Sequence, residues 1–127
     1  MLRILLVDDD PIHNVILKRA IHRISPNIEV IDFEEPLSAI EHLKENSSGP
    51  LPSIIFLDLD MPIMNGFEFA DALGVEFPHL LDSVAVHMVS SSVIPSDIQK
   101  ANDHPNIDGF ITKPVAREKL EELLSIK

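Results

Sequence analysis

Apolar residues fall along this chain in short unbroken runs and in helical rows, and the two alternate from end to end. Residues 2–7, 28–33, 54–57, 84–89 and 107–112 are runs of the length and β-branched character of strands. Four large apolar residues in succession, Ile54, Ile55, Phe56 and Leu57, fit a strand covered on both faces, the signature of a parallel sheet. Polar interruptions at Glu29 and Asp32 place the second strand nearer an edge. Between the strands, Ile12, Val15, Ile16 and Ala20 recur at helical spacing over Pro11–Ile24, with Asp10 as N-cap and Pro11 at the first helical position. Pro36 opens a second helix with Leu37, Ile40 and Leu43 on its apolar side. A short third helix is expected over residues 66–73, a short polar fourth over 95–101, and a last one lined by Val115, Leu120, Leu123 and Leu124. Strand and helix in strict alternation predict an α/β fold. The expected form is a doubly wound, five-stranded parallel sheet in the order 2-1-3-4-5 with five helices, flavodoxin-like, and with right-handed crossovers.

Composition narrows this further. At 127 residues and 45% hydrophobic content the chain supports one ordinary core, and residues 1–127 are expected to form one domain without an output domain. The stretch Asn46-Ser47-Ser48-Gly49-Pro50 is the most linker-like, and it joins two elements rather than two domains. A formal charge of −11 argues against nucleic acid, whose phosphates demand an excess of Lys and Arg, and favours cations instead. The absence of cysteine excludes thiolate chemistry and suits a cytoplasmic location. No run approaches the length needed for membrane insertion, and the opening apolar run is too short for a signal peptide.

The chemistry sits where strands stop. Asp8 and Asp9 follow the first strand, Asp58 ends the third, Ser90 follows the fourth and Lys113 the fifth. In the predicted strand order these ends surround one crevice. Carboxylates 4 Å apart repel by about 4 kcal/mol per pair at a surface-like dielectric, so three in one pocket call for a cation. Oxygen ligands without His or Cys indicate a hard ion, and few protein ligands completed by water suit Mg²⁺. Asp10 is accounted for by its capping role. The six histidines are scattered without the spacing of a metal site. His87 is expected to be a hydrogen-bonded core or half-exposed residue, and Met61 and Met64 are expected to pack within their loop.

Asp8-Asp9, Asp58 with Met61-Pro62 and Asn65-Gly66, Ser90, and Lys113-Pro114 together resemble the motif set of the response-regulator receiver domain of two-component signalling. The likeness runs through nearly the whole chain in order and spacing. It implies a phosphorylation-dependent switch in which Asp58 accepts a phosphoryl group from a histidine kinase or phosphotransfer protein. By the same resemblance Asp9 is a direct Mg²⁺ ligand, Asp8 holds the metal's waters, and the main-chain carbonyl of Asp60 completes the coordination with Asp58. Ser90 and Lys113 contact the phosphoryl oxygens, and Phe110 occupies the aromatic switch position. The family often carries Thr and Tyr where this chain has Ser90 and Phe110. Ser keeps the hydroxyl donor, whereas Phe110 lacks one and any inward rotation must be driven by packing. Such a protein is not an enzyme acting on an external substrate. It is expected to be a monomer or weak dimer that signals by docking to a downstream protein. The alternative is a small haloacid-dehalogenase-like phosphohydrolase using the Asp58-Leu59-Asp60 spacing, against which stand the pair's place on the third strand and the lack of room for a cap.

Overall fold

The computed structural model describes residues 2–125. Its elements are β1 (Arg3–Val7), α1 (Pro11–Ile24), β2 (Glu29–Phe33), α2 (Pro36–Glu45), β3 (Ile54–Asp58), α3 (Gly66–Glu76), a 3₁₀ turn at Leu80–Asp82, β4 (Ala85–Ser90), α4 (Pro95–Asp103), β5 (Gly109–Thr112) and α5 (Arg117–Leu124). All strand pairs are parallel and the sheet order is β2-β1-β3-β4-β5. This is the predicted doubly wound topology.

The apolar runs are continuous because each strand feeds two cores. Leu5 and Val7 of β1, Ile55 and Leu57 of β3, and Val86 and Met88 of β4 point to one face, where Ile40, Leu43, Phe69 and Leu73 from α2 and α3 cover them. Ile4, Leu6, Ile54, Phe56 and Val89 point to the other, beneath Leu17 and Ile21 of α1 and Leu120 and Leu124 of α5. Burial on both faces holds the central strands in register, since a one-residue slip would exchange the two cores. The edge strands β2 and β5 carry the polar positions.

Several sequence expectations need correction. Helix α1 spans the predicted residues and Asp10 caps it, accepting from the backbone N–H groups of Ile12 and His13. Its buried side, however, is His13, Asn14, Leu17 and Ile21, while Ile12, Val15 and Ile16 face solvent. The apolar row was phased wrongly because the first turn of α1 is buried against a carboxylate rather than a hydrocarbon core. Leu37 of α2 is likewise exposed, and Ala39 takes the buried position beside Ile40. Helix α3 runs to Glu76 instead of ending at residue 73. Gly74 does not stop it but makes room for Asn106, whose Nδ2 would lie 2.4 Å from an added Cβ. That same Nδ2 donates to the carbonyl of Ala70 at 2.9 Å, tying the segment before β5 to α3. Helix α4 extends past residue 101 to Asp103, and β5 begins at Gly109 because residues 104–107 form a turn closed by Ile107 N–H on the His104 carbonyl. His87 is half-buried, as expected, but its Nδ1 is buried with no hydrogen-bond partner among the described residues. Burial pushes its pKa down, so it sits in β4 as a neutral ring near Phe56. Met61 and Met64 do pack against the α3-side core.

Candidate functional site

The carboxyl ends of β1, β3, β4 and β5 meet at one edge of the sheet because the strands are parallel and their registers nearly level. Leu57 pairs with Val7 on one side, and Asp58 pairs with Val89 on the other. The residues just beyond those pairs are therefore neighbours in space. Asp8, Asp9 and Asp58 each bring a carboxylate oxygen to within 4.8 Å of the other two. Asp8 and Asp58 are buried and Asp9 is exposed, so the cluster has a closed floor and an open mouth.

Lys113 reaches in from the end of β5. Its Nζ lies 2.9 Å from Asp8 Oδ2 and 3.2 Å from Asp58 Oδ1, bridging the two buried acids. Its own N–H donates to the Ser90 carbonyl at 2.9 Å, which fixes the end of β5 beside the end of β4. Ser90 is fully buried, and its Oγ accepts from the N–H of Ser92 at 3.0 Å. Asp60, two residues past Asp58, is exposed, and its side chain stands outside the carboxylate cluster. Phe110 is half-buried on β5 and packs against the α3-side core. The structure thus brings together Asp8, Asp9, Asp58 and Lys113, and sets Ser90 at the adjoining strand end.

Asp8 is held more firmly than the sequence indicates. Its Oδ1 accepts from Asp10 N–H at 2.9 Å, and Asn14 Nδ2 donates to its carbonyl at 2.9 Å. Nδ1 of His13 lies 3.0 Å from Oδ2, within polar contact of the carboxylate. His13 and Asn14 escape a sequence reading that looks for paired histidines. The available signal is their distance from Asp8, since a helix opening at Pro11 turns its first buried positions back toward the strand it has just left.

These contacts split the two buried acids. Burial pushes Asp8 up, but His13, Lys113 and the Asp10 amide outweigh it and hold Asp8 below the ordinary carboxylate value. Burial also pushes Asp58 up, the charge on Asp8 adds to it, and Lys113 only partly opposes them, leaving Asp58 at about 7. Burial alone would lower Lys113, yet its two carboxylate partners raise it. Asp8 is thus a fixed anion beside an Asp58 that lacks enough positive charge to ionise freely. Three hard oxygen donors and an under-neutralised acid fit a divalent cation such as Mg²⁺.

The start of α3 is built around the same strand end. Asn65 and Glu68 cap it reciprocally, each side chain accepting from the other's backbone N–H at 2.9 Å. Gly66 donates to the Leu59 carbonyl at 2.9 Å, and a Cβ at this position would meet the Asp58 carbonyl at 2.5 Å and Met88 Cε at 2.8 Å. Backbone cannot move aside as a side chain can. Gly66→Ala is expected to cost about 1–3 kcal/mol, measured by urea unfolding at pH 7. A stability equal to that of the native protein would show that the loop under Asp58 is not tightly seated.

Comparison with known proteins agrees with this geometry. The family model for the response regulator receiver domain matches residues 4–125. A two-component response regulator of Oryza sativa subsp. japonica, ORR41, is 28% identical across 98% of this chain and 93% of its own length. Hybrid signal transduction histidine kinase L of Dictyostelium discoideum is 30% identical across 96% of this chain, which spans 7% of that protein. A solved two-component response regulator from Cytophaga hutchinsonii is 31% identical and superposes with a TM-score of 0.89, covering 95% of this chain and 92% of that one.

Proposed function

Because the chain belongs to the response regulator receiver domain family of two-component signalling, we propose that it is a switch whose Asp58 accepts a phosphoryl group from the phosphohistidine of a histidine kinase or phosphotransfer protein. The observation that carries this reading is the Lys113 ammonium bridging Asp8 and Asp58, with Asp9 completing the carboxylate cluster. An Asp58 oxygen attacks phosphorus in line, an O–P bond forms as the donor's N–P bond breaks, and the electron pair leaves with the imidazole nitrogen, which takes a proton from solvent. Lys113 gives up part of its contact with Asp58 to face the incoming phosphoryl oxygens, and Ser90 offers them its hydroxyl. Asp9, Asp58 and the main-chain carbonyl of Asp60 would hold Mg²⁺, with Asp8 binding its waters. When bound, Mg²⁺ supplies the positive charge that lets Asp58 ionise and screens the charge building on the phosphoryl group.

The phosphorylated aspartate adds charge where Asp8 already stands. Its oxygens draw on Ser90 and Lys113, the ends of β4 and β5, and bias the face made by α4, β5 and α5. Helix α4 is the element suited to move, because Ala101 is its one buried residue among those described. Phe110, without a hydroxyl, follows by repacking. The altered face docks to a downstream protein in the cytoplasm. Similarity to a segment of a hybrid histidine kinase supports a phosphohistidine donor.

The phosphohydrolase alternative has no structural support, since Asp60 stands outside the cluster. The test is intact-mass measurement after incubation with acetyl phosphate and Mg²⁺. One added phosphoryl group per chain, blocked by a chelator, is expected. An unchanged mass contradicts the proposal, and steady hydrolysis of a phosphate ester at a constant protein mass would indicate a turnover enzyme instead.

A further inference from the structure

The loop between β4 and α4 contains a hydrogen-bond chain that the receiver resemblance does not assign. Ser90 Oγ accepts from Ser92 N–H at 3.0 Å. The Ser92 hydroxyl donates to Asp97 Oδ2 at 2.7 Å, and its oxygen accepts from Ile94 N–H at 3.2 Å. Asp97 is the third residue of α4, and its own N–H bonds back to the Ile94 carbonyl at 3.0 Å. The four residues after Ser90, 91–94, are thereby closed into one tight unit against the first turn of the helix.

The polarity of this chain is fixed at one end. A carboxylate accepts and does not donate, so the Ser92 proton must point at Asp97 and the Ser92 lone pairs must face Ile94 N–H. The loop backbone is thereby locked with Ser92 N–H aimed at Ser90 Oγ. A serine hydroxyl has one proton to give and two acceptor positions. With an acceptor position taken by Ser92 N–H, and with Ser90 fully buried, the bond to Ser92 leaves the Ser90 proton unspent.

We propose that Ser92 and Asp97 are positioning residues for phosphoryl transfer, holding the Ser90 hydroxyl as a donor toward the phosphoryl oxygens on Asp58. The inference rests on the proposed function above and adds to it two residues that touch neither donor nor metal. Asp97 also lies on α4, so the group that orients Ser90 belongs to the helix whose position the phosphoryl group is to change.

A double-mutant cycle on the rate of phosphoryl uptake from acetyl phosphate with Mg²⁺ tests this. Asp97→Ala is expected to slow uptake about threefold to tenfold, as for loss of one oriented hydrogen bond. Asp97→Asn, whose amide oxygen still accepts from Ser92, should restore most of the rate. In a Ser90→Ala background Asp97→Ala should have no further effect, because the residue through which it acts is gone. Should Asp97→Ala not fold, Ser92→Ala carries the same comparison, with Ser92→Thr as the rescue. The inference is overturned if Asp97→Ala slows the Ser90→Ala protein by the same factor as the native one, or leaves the native rate unchanged. Native protein that takes up no phosphoryl group at all overturns the proposed function itself, a different result from either.

Discussion

An Asp58→Asn variant should take up no phosphoryl group and should also, without divalent cation, be more stable than the native protein above neutral pH. The first effect follows from the loss of the carboxylate nucleophile. The second follows from the environment of Asp58, where burial and the charge on Asp8 raise the group from 3.8 to about 7 against the pull of Lys113. In the folded protein Asp58 keeps its proton up to about pH 7, whereas the unfolded chain releases it near pH 4. Between those values the unfolded state holds fewer protons, so stability falls as pH rises and levels off beyond the folded pKa. The loss is on the order of 2–4 kcal/mol. Asp8 runs the other way, since a group held below its ordinary value contributes stability that is gained as pH rises through the range below about 4. The two windows are therefore separate. Urea unfolding from pH 4 to 8 should show a decline in the native protein that is absent in Asp58→Asn, and Mg²⁺ should flatten the native decline. A parallel decline in both proteins would assign it to another group.

Removing the other half of this balance should have the opposite sign. Lys113→Met keeps the length and apolar stem of the side chain but withdraws the ammonium between Asp8 and Asp58. Breaking a buried ion pair by deleting one partner costs about 3–5 kcal/mol. Asp58 can escape part of this by holding its proton more tightly, so about 2–3 kcal/mol is expected at pH 8, shrinking toward pH 4 as Asp58 protonates and only the charge of Asp8 is left without its partner. Phosphoryl uptake should slow about a hundredfold, as when a fixed donor is removed from a site of developing negative charge. Unfolding curves at the two pH values and the uptake rate check both. Equal stability at pH 8 would mean that Lys113 is not what allows two acids to be buried together.

What the sequence made legible was whatever followed from burial on two faces. Continuous apolar strands ending at Asp8, Asp58, Ser90 and Lys113 were readable because a parallel sheet needs such strands and leaves its chemistry at their ends. The exposed row Ile12, Val15 and Ile16 was misread for the same reason, as periodicity takes apolar residues to be the buried ones. The first turn of α1 instead buries His13 and Asn14, because what it packs against is the carboxylate and carbonyl of Asp8. The third helix outruns its expected end at residue 73, and Gly74 within it is explained only by the approach of Asn106 from 32 positions further along. Ser92 and Asp97 leave no periodic trace, since their bonds lie within one loop and carry no apolar pattern.

The central claim is that Asp58, among several acids at one edge of the sheet, carries the phosphoryl group. After incubation with acetyl phosphate and Mg²⁺, borohydride reduces an acyl phosphate to an alcohol, and peptide mass spectrometry then locates the altered residue. The modification is expected at Asp58 alone. Its appearance at Asp9, at Asp60 or on a histidine, with Asp58 unchanged, would contradict the assignment.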